Sequence, residues 1–365
     1  MDKMKRYIDA YIPTETCNFR CHYCYITQQR KFNNKLAKFD YTPEFIAKAL
    51  SQKRLGGPCL INLCAGGETL LIEELIPIVE ALLKEGHYIM IVTNGSLSVR
   101  FDQIIKMPKE LLKRLSFKFS FHYLELKRLK KLEEFFNNIR KIKNAGASFT
   151  VEITPNDELI PYIDEIKQVS MKNLGALPHI TIARNDVTKN IAVLSKYDYE
   201  EYKKIWSTFD SDLFKFKSEI FYKKRKEFCY AGDWSLYLNL ATGDVRQCYY
   251  GLNIGNIYKN IDEPIETLAV GNTCTSPHCY NGHAFLTLGC IPEMKTPTYA
   301  VVRNRKCADG TEWLNETMKS FISTKLVESN VEYNKQEKQK VNLQNKKLRV
   351  ARKINALSKK IKNKK

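Results

Sequence analysis

Short apolar or alternating runs recur at 6–12, 59–64, 87–93, 115–121, 148–154 and 178–184, separated by helix-patterned segments near 43–54, 70–86, 98–107, 124–145 and 158–173. Strands joined through helices run parallel, because a crossover that long returns the chain to the same end of the sheet by a right-handed path. This pattern predicts an α/β fold, a partial (β/α)6 barrel open on one side. Local signals agree. Thr42 stands as N-cap before Pro43 at a first helical position, and Gly86 and Gly146 stand where helices stop. In such barrels chemistry gathers at the C-terminal ends of the strands.

The loop after the first strand carries the run Thr-Glu-Thr-Cys17-Asn-Phe-Arg-Cys21-His-Tyr-Cys24-Tyr. This spacing lets three thiolates converge on one cubane iron–sulfur cluster and leaves one iron with an open position. A zinc site closes with a fourth ligand, and the loop offers only His22. A disulfide framework lacks its usual setting: Met1 to Arg6 is charged and no apolar signal region follows. A chain of 365 residues buries a core without cross-links. Eleven cysteines without a signal peptide therefore point to metal and to a reducing cytoplasm. No run of eighteen or more apolar residues exists, so no membrane span is expected.

The net charge of +19 is unevenly spread: residues 319–365 hold fifteen Lys/Arg against three Glu, an excess of twelve. The body is thus not an obvious nucleic-acid binder. Residues 186–228 have the composition of a helical connector. From Phe228 the chain changes to short strands, glycine turns and six of the eleven cysteines, ending near Leu314. The expected organisation is a barrel over 1–210, a helical connector over 211–227, a small α+β cysteine-rich module over 228–316, and a basic helical or disordered tail over 317–365. In the tail, Val350, Ile354, Leu357 and Ile361 form an apolar stripe at helical spacing. Truncation after Asn330 is expected to leave the metal sites intact.

The cysteine loop resembles the radical S-adenosylmethionine (radical SAM) superfamily, whose members bind SAM through the open iron of a 4Fe-4S cluster. Tyr23 matches the aromatic residue that family carries before the third cysteine. The second strand ends in Cys64-Ala65-Gly66-Gly67-Glu68, and the resemblance implies that Gly66, Gly67 and Glu68 bind the amino group of SAM. Glycines admit a ligand close to the backbone, and a carboxylate pairs with an ammonium; Gly-Gly by itself is a turn in most proteins. The third strand ends in Thr93-Asn94-Gly95, similar to a site-lining run of the family and equally readable as an Asx turn. Ser120 and His122 share a face of the fourth strand. The resemblance implies that Ser120 bonds the ribose or carboxylate of SAM, whereas His122 departs from the acidic residue many relatives carry. Arg184, after the sixth strand, can hold the SAM carboxylate bidentately or be a solvated strand-end arginine.

Cys229 is followed by thirteen residues, Gly243, four residues and Cys248. This resembles the opening of SPASM and twitch domains, which append auxiliary iron–sulfur clusters to radical SAM barrels. Gly243 closes a hairpin that brings the two thiols together, and Cys274 and Cys279 supply a second pair. The tighter SPASM series is not reproduced, so one auxiliary 4Fe-4S cluster of twitch type is expected on Cys229, Cys248, Cys274 and Cys279, with Cys307 in reserve and Cys290 unassigned. A structural zinc site on the same four stays open, and His278 and His283 fit it or line a substrate pocket. Cys59 and Cys64 read as buried strand thiols.

The resemblance implies an oxidoreductase in which a reduced cluster gives an electron to SAM, and the 5′-deoxyadenosyl radical takes a hydrogen atom from substrate. The protein positions the reactants and excludes side reactions. It also implies an electron donor such as flavodoxin or ferredoxin. Cys17 lies too near the N-terminus for a leader-peptide-binding domain, which tilts the substrate toward a small polar, sugar-like molecule undergoing net oxidation or epimerisation. Peptide or protein maturation is the second reading. An iron–sulfur sensor binding RNA through the basic tail is the third, and Gly66-Gly67-Glu68 argues against it. The tail is a solvated extension or docks on an acidic partner.

Overall fold

The computed structural model describes residues 2–362, with side chains through Ile354. Six strands run parallel in the order β6-β5-β4-β3-β2-β1: β1 (Arg6–Ile12), β2 (Cys59–Ala65), β3 (Tyr88–Thr93), β4 (Leu115–Ser120), β5 (Ser148–Ile153) and β6 (His179–Ile180). The sheet does not end at β1. β7 (Ser235–Asn239) adds parallel to its free edge, with Tyr7 opposite Ser235 and Tyr11 opposite Asn239. β8 (Asp244–Arg246) and β9 (Asn253–Asn256) follow antiparallel. The cysteine-rich module therefore extends the sheet of the partial barrel.

Alternation along the strands splits the core in two. Ile8, Leu63, Ile91, Phe117 and Val151 pack with helix residues such as Ile46, Leu82 and Ile139. On the other face, Tyr7, Leu60, Tyr88 and Met90, near the strand starts, pack against Trp234, Phe285, Tyr299, Val302 and Phe321 from the C-terminal third. The rings of Tyr88 and Phe321 stack with centroids 3.5 Å apart. At roughly 1.5–3 kcal/mol per fully buried large apolar side chain, this second core plugs the base of the barrel. The polar residues further along the same face, Asp9, Asn62, Cys64 and Lys118, are left to line a cavity.

Three expectations differ from the structure. The sixth strand pairs over only two residues; beyond it the chain turns away, and Arg184 bridges to Val193 instead. The connector expected over 211–227 is a packed layer: in the helix Asp212–Ile220, Leu213, Phe214, Phe216 and Ile220 are buried. The tail expected from 317 is not separate either. Met318, Phe321, Ile322 and Leu326 are core residues.

The long helix Lys335–Lys362 is docked through polar groups. Asn345 is fully buried; its amide donates to Ala269 O (2.8 Å) and accepts from Gln247 Nε2 (2.8 Å). Asn342 and Asn272 bond reciprocally, and Arg349 Nη2 donates to Thr273 O at 3.0 Å. Of the apolar stripe, Val350 and Ile354 are 57% and 56% exposed, and the side chains of Leu357 and Ile361 lie outside the described residues. No described helix is long and apolar enough to cross a membrane.

The docked helix braces Gln247, Asn272 and Thr273, which directly precede Cys248 or Cys274 in the chain or lie one residue further off. Asn345→Ala should lower stability by about 1–3 kcal/mol, the cost of leaving buried partners unsatisfied. Val350→Ser should stay within about 0.5 kcal/mol. Urea denaturation followed by circular dichroism checks both; equal, negligible effects would show the helix undocked.

Candidate active site

The cysteine loop is fixed by backbone pairing that continues past the ends of β1 and β2. Gly66 N, Gly67 N and Glu68 N donate to Ile12 O, Thr14 O and Thr16 O at 3.3, 2.5 and 3.0 Å. The strands approach so closely that a Cβ on Gly67 would lie 1.9 Å from Thr16 O, and one on Gly66 would lie 2.8 Å from Thr14 O. Only glycine fits at both positions, for a reason internal to the protein. The Gly66 carbonyl is itself held by Tyr25 Oη at 3.0 Å.

Glu68 is buried and ties this junction to the end of β3. Its carboxylate accepts from Thr93 Oγ1 (2.6 Å), Asn94 N (2.7 Å) and Leu70 N (3.0 Å). Burial nonetheless pushes its pKa upward. Asn94 passes the connection back to the cysteine loop. Its Nδ2 donates to Asn18 Oδ1 at 2.7 Å, Asn18 Nδ2 donates to Ser96 Oγ at 2.8 Å, and Ser96 Oγ donates to Asn94 Oδ1 at 2.7 Å. Asn94 and Ser96 are buried. Asn18 and Ser96 carry no motif of their own, so the sequence reading missed this clamp.

Cys17, Cys21, Cys24, Gly66, Gly67, Glu68, Thr93, Asn94 and Ser120 all line one cavity of about 180 Å³. Burial pushes the Cys17 thiol up to about 11 and raises Cys21 and Cys24 as well. Iron reverses that preference, since a coordinating thiol is deprotonated. His122 lines the same cavity. Burial lowers its pKa to about 4, and its Nδ1 is 2.6 Å from Tyr23 Oη, so the ring braces the loop between Cys21 and Cys24.

A second cavity of about 350 Å³ lies beside the first, and Tyr25, Cys64, Ala65 and Val92 line both. Its wall is part polar and part apolar, with Asp9, Lys118, Arg303 and several tyrosines. Arg184 lines this second cavity, not the first; it pairs with Asp186 at 3.6 Å, and its guanidinium lies 4.9 Å from the Tyr280 ring centroid. Asp9 accepts from Asn62 Nδ2 at 2.8 Å and from the Tyr249 hydroxyl.

Cys229, Cys248, Cys274 and Cys279 all pack against the second core. The bridge between Cys229 and Gly271 holds two of the loops together, and Gly243, at φ +78°, turns the chain between β7 and β8. Burial raises Cys229, Cys248 and Cys279, and mutual repulsion adds to it: Cys229 against Cys290, Cys248 and Cys279, and Cys248 and Cys279 against Cys274, so Cys290 is a neighbour of the four. Tyr249 and Tyr280, each directly following one of these cysteines, line the second cavity. Cys290 lies in the same second core and donates to Ser235 Oγ at 3.2 Å, whereas Cys307, in the barrel core, donates to Leu174 O at 3.3 Å. Among the described residues, no three Cys, His, Asp or Glu side chains are gathered tightly enough to share a single metal ion. All-cysteine donor sets fit an iron–sulfur cluster, and four thiolates also fit a structural zinc ion.

Residues 11–155 match the profile of the Radical SAM superfamily. No curated protein matches the chain in sequence. Among solved structures, it is similar to Streptococcus suis SuiB bound to S-adenosylmethionine, with a TM-score of 0.50 and 14% identity over 72% of this chain. The chain spans 65% of the length of SuiB. Further similarities are to anSMEcpe with bound AdoMet and Cp18Cys peptide (TM-score 0.45, 14% identity, 69% of this chain and 78% of that one) and to BtrN in complex with AdoMet and 2-DOIA (TM-score 0.31, 13% identity, 72% and 82%). At 14% identity the likeness to SuiB is one of fold. The profile covers the cysteine loop, the glycine junction and strands β2 to β5, so this part of the chain is a radical SAM domain.

Proposed function

We propose that this protein cleaves SAM reductively and uses the radical to remove a hydrogen atom from a polar substrate held in the second cavity. One observation carries the reading: a cavity lined by three cysteines, Gly66-Gly67-Glu68, Thr93, Asn94 and Ser120 shares a wall with a larger, partly polar cavity. Cys17, Cys21 and Cys24 would hold the 4Fe-4S cluster. Gly66, Gly67, Glu68, Thr93, Asn94 and Ser120 would hold SAM. Arg184, by its position, serves the substrate side. When bound and reduced, the cluster supplies the electron that splits SAM into methionine and a 5′-deoxyadenosyl radical.

The chain's own part is positioning and exclusion. Asn18, Asn94 and Ser96 hold the cysteine loop in one conformation. Tyr25, Cys64, Ala65 and Val92 form the boundary across which hydrogen transfer takes place. The volume of about 350 Å³ suits a small molecule or one residue of a chain. Cys229, Cys248, Cys274 and Cys279 are assigned to an auxiliary 4Fe-4S cluster, and Tyr249 and Tyr280 put that site next to the substrate. This placement supports electron acceptance from a substrate radical and hence a net oxidation, with a donor such as flavodoxin or ferredoxin reducing the first cluster.

Anaerobically reconstituted, dithionite-reduced protein should release 5′-deoxyadenosine from SAM and hold about eight irons per chain. The Cys17/Cys21/Cys24→Ala protein should hold about four and release none. Turnover surviving that change would sink the assignment, and zinc in place of the remaining iron would make the second set structural.

Glu68→Gln places an amide among three donors. It should cost about 1–3 kcal/mol of stability and weaken SAM binding about ten- to hundredfold. Thermal unfolding and calorimetry with SAM check the two effects. Stability lost with SAM affinity intact would make Glu68 a brace for the loop and no ligand.

A further inference from the structure

Lys118 lies between Phe117 and Phe119 on β4, and while those rings pack toward the helices, Lys118 lines the second cavity. Its ammonium has no hydrogen-bond acceptor among the described residues; the nearest carboxylate oxygen is Glu152 Oε1 at 3.8 Å. The other oxygen of Glu152 is already engaged, accepting from Arg303 Nη1 at 2.6 Å. Arg303 Nη2 is 2.5 Å from His283 Nε2. A guanidinium only donates, so Nε2 accepts and the proton of neutral His283 resides on Nδ1. That Nδ1 and Arg303 Nε are both buried without a partner.

Three hydrogen-bond donors thus belong to residues around one cavity and lack acceptors: the Lys118 ammonium, Arg303 Nε–H and His283 Nδ1–H. Other charged groups nearby have partners. Asp9 accepts from Asn62 and Tyr249, Asp186 pairs with Arg184, Lys217 donates to Thr181 Oγ1 at 2.5 Å, and Glu15 accepts from Asn33. Two of the three donor residues, Lys118 and Arg303, are cations. Buried donors are rarely left unmatched in a native site, and Lys118 faces the cavity with its carboxylate partner beyond hydrogen-bond distance.

We infer that the substrate carries an oxyanion, a carboxylate or a phosphate, which binds at Lys118 with Arg303 and His283 behind it. The inference rests on the second cavity being the substrate site. A neutral sugar would bring hydroxyl acceptors but no charge opposite Lys118, whereas an acidic sugar, a sugar phosphate or an amino acid carboxylate would bring both. Arg303 Nε and His283 Nδ1 lie buried behind the cavity surface and add positive and donor character to that wall. Glu152 then acts as a positioning residue, holding Arg303 in place.

The test titrates the reconstituted full chain, with SAM present, against inorganic phosphate, acetate and neutral glycerol by calorimetry. Saturable binding of phosphate or acetate but not glycerol is expected, and which anion binds identifies the group. Lys118→Met should weaken the anion at least about tenfold, while Lys118→Arg should retain it. Absence of saturable anion binding to the unmodified protein, or wild-type anion affinity in the Met variant, overturns the inference. The wild-type arm decides alone if the Met variant fails to fold. Release of 5′-deoxyadenosine by the unmodified protein reports separately on the underlying reading, so either can fail without the other.

Discussion

The site depends on three backbone hydrogen bonds that continue the β1–β2 ladder beyond the strands, from Gly66, Gly67 and Glu68 to Ile12, Thr14 and Thr16. They convert a loop that would otherwise wander into an extension of the sheet. The glycines are required because the cysteine loop's own backbone presses on them. The same geometry brings Glu68 under the end of β3, where it collects three donors and fixes Thr93 and Asn94. Cysteines, glycines and the Thr-Asn pair are therefore one mechanical unit, and a change at any member is felt by the others.

The alternation of the strands decides where chemistry can occur. One face is apolar along its length and is covered by helices. The other is apolar only near the strand starts, where the C-terminal third plugs it, and polar beyond. Base and cavity are thus two halves of one inward face. The plug also brings Tyr249, Tyr280, His283 and Arg303 to the barrel interior, so the cavity has walls from both ends of the chain.

Much of this was legible in the sequence. The first five strands fall within about a residue of their expected limits because their two-residue periodicity is strong. The cysteine spacing and the glycine run mark the loop that they build. What escaped was non-local or polar. Arg303 meets Glu152 across 151 positions, and no local pattern announces such a pair. The docking of the last long helix rests on Asn342, Asn345 and Arg349, which a search for apolar stripes passes over. Lys118 left a trace, a lysine within the aromatic run Phe117-Lys118-Phe119-Ser120, since a charge at an inward strand position needs a reason.

The pairing of β7 with β1 bears on the order of assembly. β1 is synthesised more than two hundred residues before its second neighbour, which ends at Asn239. Arg6 is also held by Asp233, and Lys5 by Ser329. Until the last third of the chain emerges, the strand bearing the cysteine loop is an open edge with unpaired amides. Edges of that kind recruit wrong partners, and long-range parallel pairing is slow to form. The newborn chain is most vulnerable at the element its chemistry needs most.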